Sequence, residues 1–402
     1  MRIAVIGGAG MMGSGTVRDL VSELSPGVTQ VIVADTELAR VRRLTDALND
    51  PRLDPVALDV TDAAALDAVI RRADLCVNAV PTMAGHQMAI FHACLAARVP
   101  YIDYGGLGIY TVKQKAEHAA WAEAGVTAVL SCGADPGMSN MICRAVAERL
   151  DGIARLDGIA RIDLYWAATL VGPESPVLVP PYAVSTVLTE YARPSQQFLD
   201  GRLTEVPPMS GRQVLDLPEP WGRTEFMHSP HSEPLTVPFA AGIADKGIRD
   251  FTWRLALPRA EHAAWSALMK AGFRDFDQPL EVGGALVAPG DFLARLIARN
   301  MERHGDEIPA QDGHEIHFAV GEGTREGTPT RVRCTITSGP DPLYEGYVDA
   351  CTSMNASIAA RLVLAGNRKP GVWAPEEYFA VEPYFAELET RRFRIAIESA
   401  PL

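Results

Sequence analysis

Apolar and polar positions follow two rhythms over the first 130 residues. Short apolar runs occur at Arg2 to Ile6, Gln30 to Ala34, Pro55 to Leu58, Asp74 to Val77, Pro100 to Ile102 and Val126 to Leu130. Between them, apolar residues recur every third or fourth position, as in Val17, Leu20, Val21 and Leu24, or Leu38, Val41, Leu44 and Leu48. A short unbroken apolar run bounded by turn residues fits a buried strand, and the 3.6-residue rhythm fits an amphipathic helix. Helices are predicted over 62–70 (with Asp62 as cap), 86–98, 111–124 and 136–149. Strands alternating with helices predict a doubly wound parallel α/β sheet.

The turn after the first run is Gly7-Gly8-Ala9-Gly10-Met11-Met12-Gly13, and the second run ends on Asp35. Strand, glycine turn, helix, strand and acid form the dinucleotide-binding pattern in its required order. Gly8 is expected to allow the sharp turn, Gly10 to let the backbone approach a pyrophosphate, and Gly13 to let helix and strand pack closely. The amides of the helix N-terminus suit phosphate. Ligands of such sheets bind beyond the carboxyl ends of the strands. That rule selects Gly8, Gly10, Met11, Met12, Gly13, Asp35, Asp59, Val60, Asn78, Ala79, Val80, Pro81 and Gly105 for the cofactor. It puts Asp103, Tyr104 and the segment Cys132 to Asp135 at the reacting end.

Beyond residue 150 the pattern changes. Strand-like segments at 162–169, 250–257, 314–320 and 331–337 lack regular helical crossovers and predict a mixed, largely antiparallel sheet. Proline-rich stretches at 172–181, 207–208, 218–220 and 234–238 read as loops. The tandem hexapeptide Leu150 to Arg155 and Leu156 to Arg161 reads as a local duplication in a connector. Met354 to Leu364 returns to helix and is expected to pack on the first domain.

Composition narrows the function classes. A length of 402 residues exceeds one ordinary domain. The net charge of −13 argues against nucleic-acid or anionic-membrane partners, which need a basic patch. No apolar run reaches the ~18 residues of a membrane span, and the N-terminal run passes straight into the glycine turn, unlike a signal peptide. Six scattered cysteines without a C-x-x-C pair fit a reducing cytoplasm. The nine histidines show no metal spacing, and His314 and His317 are discounted as ligands, so no metal is expected.

Two further segments are distinctive: Tyr101-Ile102-Asp103-Tyr104-Gly105-Gly106 and Gly133-Ala134-Asp135-Pro136-Gly137-Met138-Ser139-Asn140. With the glycine turn, with His231 to Thr236 and with Gly371 to Glu376, they resemble the saccharopine dehydrogenase-like reductases. The resemblance keeps its order over about residues 1–385. It implies a discontinuous Rossmann domain (1–138 and 345–402) and an α+β substrate and dimerisation domain (139–344). It also implies a homodimer, and hydride transfer between a nicotinamide and an amine-bearing carbon. The Asp-Gly-Gly-like segment and the length are most similar to lysine 6-dehydrogenase, whereas Asp135-Pro136-Gly137 is more similar to saccharopine and carboxynorspermidine enzymes.

Amine oxidation requires proton handling, because an alkyl ammonium has a pKa of ~10.4. Asp135 is a candidate to hold or deprotonate the substrate ammonium; it also reads as the N-cap of the following helix, with Pro136 at N1. Asp103 and Tyr104 are candidates beside the nicotinamide. His231 suits proton transfer, having an ordinary pKa of ~6.5, and Glu233 accompanies it in a polar loop. Arg223, Arg254 and Lys246 are candidates for a substrate carboxylate. Cys132 reads as a buried small apolar residue. Asp35 favours NAD, since a carboxylate accepts from a ribose 2′-OH and repels a 2′-phosphate; Arg40, Arg42 and Arg43 keep NADP open. The expectation is an NAD-dependent dehydrogenase acting on the CH–NH2 or CH–NH group of a small amino-acid or polyamine-related substrate, with lysine's terminal amine foremost. An opine-type reductase and a non-catalytic nicotinamide-binding sensor are the alternatives.

Overall fold

The computed structural model describes residues 1–152, 161–341 and 350–402. Residues 153–160 of the hexapeptide duplication, and the expected domain boundary at 344/345, lie outside the described residues.

The apolar runs become strands β1 (Arg2–Ile6), β2 (Gln30–Asp35), β3 (Leu53–Ala57), β4 (Leu75–Asn78), β5 (Tyr101–Asp103) and β6 (Thr127–Val129). Most of their residues are buried, because helices cover both faces of the sheet. The second half supplies β7 (Arg161–Val171), β8 (Ser195–Leu199), β9 (Arg202–Val206), β10 (Gln213–Asp216), β11 (Arg223–His228) and β12 (Asp250–Ala256). It continues with β13 (Leu280–Val282), β14 (Ala285–Val287), β15 (Asp312–Arg325), β16 (Thr328–Ser338), β17 (Gly371–Trp373) and β18 (Arg394–Pro401).

The first sheet has seven strands in the order β17-β6-β5-β4-β1-β2-β3, all parallel. Strand order reverses between β1 and β4, which opens the crevice used by dinucleotides in Rossmann folds. The seventh strand comes from residues 371–373, and the helix Ala350–Ala365 packs against the helix Met11–Leu20. The Rossmann domain is therefore discontinuous.

The second sheet has nine strands; its main path is β10-β11-β12-β7-β15-β16-β18, with β8 and β9 branching from β12. Its pairs are antiparallel except β12 with β7. β18 pairs along β16, so residues 394–401 lie with the second sheet and not, as expected, with the first. Strand alternation divides the sheet into two faces. Leu164, Trp166, Trp253 and Leu255 belong to one core, and Tyr165, Ala167, Ile316 and Phe318 to another on the opposite face.

Three local expectations change. The predicted helix 111–124 is two helices, Thr111–Ala116 and His118–Glu123, with Glu117 between them. The segment 234–238 is helical, from Glu233–Thr236 into a 3-10 turn at Val237–Phe239. The helix after Asp135-Pro136 starts at Met138, with Gly137 as its N-cap. Asp135 is thus not a cap, and its carboxylate is released for other contacts.

Candidate active site

A cavity of about 590 Å³ lies between the carboxyl ends of β1 to β5 and the inner face of the second sheet. Gly10, Met11, Met12, Asp35, Asp59 and Val60 line one end. Ala79, Val80, Pro81, Tyr104 and Gly105 line its middle, and Asp135 and His231 its far end.

The glycine turn fits a dinucleotide. Gly7, not Gly8, takes the left-handed conformation, at φ +81°, and a Cβ there would stand 2.8 Å from the Ala79 carbonyl carbon. A Cβ on Gly13 would stand 2.2 Å from the Gly7 oxygen, so side chains at both positions are excluded by backbone. Gly10 caps the helix Met11–Leu20 without a side-chain hydrogen bond, leaving the first helical amides available to an anion. Asp35 lines the cavity and accepts from the amides of Thr36 (2.8 Å) and Ala9 (3.2 Å).

Two residues expected at the ligand act one layer behind it. Asn78 is buried, donates to Gln87 and Tyr101 at 3.0 Å each, and accepts from the Val80 amide at 3.1 Å. It shapes the Val80-Pro81 wall. Asp103, expected at the reacting end, does not line the cavity. Its carboxylate accepts from Gln87, Tyr101 and Gln114 and from the amides of Gly105 and Ser131, at 2.6 to 3.0 Å. Burial raises its pKa against these donors. Asp103 clamps the loops after β5 and β6, which brings Tyr104 and Asp135 to the cavity. The Tyr104 hydroxyl meets Thr16 Oγ1 at 2.6 Å, and Thr16 donates to the Ser353 carbonyl.

At the far end, Asp135 Oδ2 is 2.5 Å from His317 Nε2, and Glu315 Oε2 is 3.7 Å from the same nitrogen. Asp135, Glu315 and His317 could together hold a metal ion by proximity, a set that the histidine spacing did not suggest. Hydrogen bonds already engage it, since Trp166 Nε1 donates to Glu315 at 2.8 Å. Burial alone would lower the pKa of His317; the charge and hydrogen bond of Asp135 outweigh it and raise the imidazole above its ordinary range. Burial raises the Glu315 carboxyl. His231 repeats the arrangement: its Nδ1 is 2.8 Å from Glu233, its ring stacks on Trp253 at 3.9 Å, and Glu233 raises it against burial. Glu233 itself does not line the cavity; it accepts from Ser139 at 2.7 Å and orients His231.

The basic candidates are elsewhere. Arg254 alternates with Trp253 on β12, so it points to the opposite face, where it donates to Asp163 at 3.1 Å over the Tyr165 ring. Arg223 is exposed at the start of β11, paired in register with Asp216. Lys246 donates to the Ala147 and Leu150 carbonyls at 2.6 Å, closing the end of the helix Met138–Glu148. Cys132 is buried, as expected. The site residues missed from the sequence are Trp166, Glu190, Glu315 and His317. A His and a Glu two apart on a strand share a face, which was the available signal for the last two.

Residues 3–129 match the family model of the saccharopine dehydrogenase NADP-binding domain, and residues 133–393 that of the saccharopine dehydrogenase C-terminal domain. The chain belongs to the saccharopine dehydrogenase family. Its fold is similar to that of apo saccharopine dehydrogenase (L-Glu forming) from Saccharomyces cerevisiae, with a TM-score of 0.75 at 14% identity over 99% of both chains. A dehydrogenase (MviM) from Clostridium difficile is more remote, with a TM-score of 0.38 at 7% identity over 98% of this chain and 97% of that one. Family membership makes the protein a nicotinamide-dependent oxidoreductase of CH–NH donors, using NAD or NADP. No described helix is long and apolar enough to cross a membrane.

Proposed function

We propose that this family member oxidises the CH–NH2 or CH–NH group of a small amine, with NAD as the preferred acceptor and lysine's terminal amine as the first substrate to test. The carrying observation is the Asp135–His317 pair at the cavity's far end, with Asp135 lining the cavity and His317 buried behind it. When bound, the oxidised nicotinamide supplies the hydride acceptor. The overall change takes R–CH2–NH3+ and NAD+ to R–CH=NH2+, NADH and one proton, and water then releases the aldehyde and ammonium.

Asp135, the member of the pair that lines the cavity, receives the proton from the ammonium and passes it to His317 behind it, whose imidazolium it then stabilises. Tyr104 flanks the reacting end, its hydroxyl held by Thr16. His231, stacked on Trp253 and oriented by Glu233, handles the proton of the water step. Asp35 supports NAD by offering an acceptor to a 2′-OH.

The proposal extends to a homodimer in the cytoplasm. The hairpin β13–β14 exposes Leu280, Val282 and Leu286, an apolar surface suited to a second copy. All six cysteines are free and buried, as in reducing compartments.

The test is reduction of NAD and NADP by the purified chain with a panel of amines. Turnover with NAD should exceed that with NADP. Asp135→Asn should lower kcat by about 100-fold or more, as loss of an acid–base group does, with NAD affinity unchanged. The rate should rise with pH through a value above the ordinary ~6.5 of histidine, as His317 becomes able to accept. Retained turnover in Asp135→Asn would remove the acid–base role. NAD binding without oxidation of any amine would support the sensor.

A further inference from the structure

The far end of the cavity holds an imbalance of charge. Asp135 is matched to His317, and Glu233 to His231. Glu190 and Glu315 also line the cavity, and their hydrogen-bond donors are neutral: the Tyr182 hydroxyl at 2.5 Å for Glu190, and the Trp166 indole at 2.8 Å for Glu315, whose nearest imidazole, His317 at 3.7 Å, is already hydrogen-bonded to Asp135. Both carboxylates are more than nine-tenths buried, at 2% and 5% exposure. Among the described lining residues, Arg40 is the one guanidinium or ammonium, and it belongs to the helix Leu38–Leu48 that follows β2. Trp166, Trp253 and Tyr182 supply aromatic walls. Asp135, Glu233, Glu190 and Glu315 face only two imidazoles, His317 and His231, and such an excess of buried carboxylates costs free energy unless a ligand brings the missing charge; aromatic faces favour that charge being an ammonium.

We propose that the substrate is an aliphatic diamine, with one nitrogen reacting at Glu315 beside Asp135–His317, a second ammonium bound at Glu190, and no carboxylate recognised by the chamber. This rests on the amine-oxidation reading and narrows it. Lysine carries the two nitrogens, but its carboxylate meets no cation there. Burial pushes the Glu190 carboxyl up to about 7, consistent with a group awaiting a counter-charge.

The probes are 1,5-diaminopentane, pentylamine, 5-aminopentanoate and lysine, each with NAD and the full chain. The diamine should exceed pentylamine in kcat/KM by about 100-fold, the effect of one buried charge pair. Lysine should fall between them, and 5-aminopentanoate should be the poorest. Glu190→Gln should lower kcat/KM for the diamine by about 100-fold and move that for pentylamine by less than about threefold. A merely structural Glu190 would lower both alike, and Glu190→Asp should recover part of the diamine activity.

Equal use of diamine and monoamine, a preference for 5-aminopentanoate, or an equal loss on both amines in Glu190→Gln would overturn the proposal. Thermal unfolding of the NAD complex separates it from the redox reading. A larger rise in Tm with diamine than with pentylamine supports the two-ammonium site even without turnover, in which case the oxidation reading alone fails. Equal shifts without turnover overturn both.

Discussion

Glu190, proposed above to bind a second ammonium, also bears on stability. It sits at 2% exposure beside Tyr182, and its carboxyl rises from an ordinary 4.5 to about 7 because burial disfavours the charge. His231 opposes that rise, as does the Tyr182 hydrogen bond, while Asp135 adds to it. Between those two pH values the folded chain keeps a proton that the unfolded chain has lost. Glu190 therefore contributes stability that is complete below 4.5 and is lost as pH rises through about 7. Glutamine imitates the protonated form. Glu190→Gln should match the native chain near pH 4 and exceed it by on the order of 3 kcal/mol at pH 8. Urea unfolding of both proteins at the two pH values measures the difference. His231 and His317, both raised, lose stabilisation with rising pH in the same direction; Glu190 is one of the charges that raise His231, so the variant reports the coupled Glu190–His231 titration. A difference independent of pH would mean that Glu190 is ionised in the fold throughout.

The elements around the site are tied by contacts that a reading of local pattern does not contain. The β1-turn-helix unit was legible, because apolar runs, glycines and Asp35 all act within one stretch of chain. The long strands β7, β12, β15 and β16 were legible for a similar reason: their runs are longer than any turn. What local pattern could not supply was register. Trp166 meets His317 across β7 and β15, and only that pairing brings Glu315 and His317 up to Asp135, 182 residues from His317 in sequence. Arg254 was misjudged for the opposite reason. Alternation with the buried Trp253 already sends it to the other face, so the strand reading contained the correction. Asp103 was misjudged because strand-end acids in such folds serve both ligands and loops, and only its five donors decide between them.

The same kind of long-range tie holds the helix Met11–Leu20. Arg391, near the C-terminus, donates to both oxygens of Asp19 at 2.8 and 2.9 Å, and both side chains are fully buried. Ser25 donates to the same Asp19 carboxylate at 3.0 Å, and Ser357 also bonds it. Removing Arg391 leaves that carboxylate buried without its cation. Arg391→Ala should destabilise the fold by about 3–5 kcal/mol, measured by urea unfolding. Because the helix carries the phosphate-facing amides, NAD affinity should fall in the same variant. Unchanged stability would mean that water reaches Asp19.

At the scale of the whole molecule, the two sheets share one cavity and one set of crossings. The chain leaves the first sheet after β6, builds the second, returns through the helix Ala350–Ala365 and β17, and ends in the second as β18. The cavity takes Gly10 and Asp35 from one sheet domain and Trp166, Trp253 and Glu315 from the other. Asp135 and His317 join the two across the site, and Ser353 Oγ donates to the Met12 carbonyl at 2.9 Å, holding the returning helix to the glycine turn. Such interleaving predicts that the halves unfold together. NAD at about 100 times its Kd should then stabilise the entire transition by about 2.7 kcal/mol. Tryptophan fluorescence reports on this directly, because Trp121 is buried in the first sheet's core and Trp166, Trp253 and Trp265 in the second's. Far-UV circular dichroism and fluorescence should give one coincident transition that NAD moves as a unit. Two transitions, with NAD moving only one, would mean that the nucleotide-binding half folds without the sheet that carries His317. The proton-handling pair would then form only when the two halves dock.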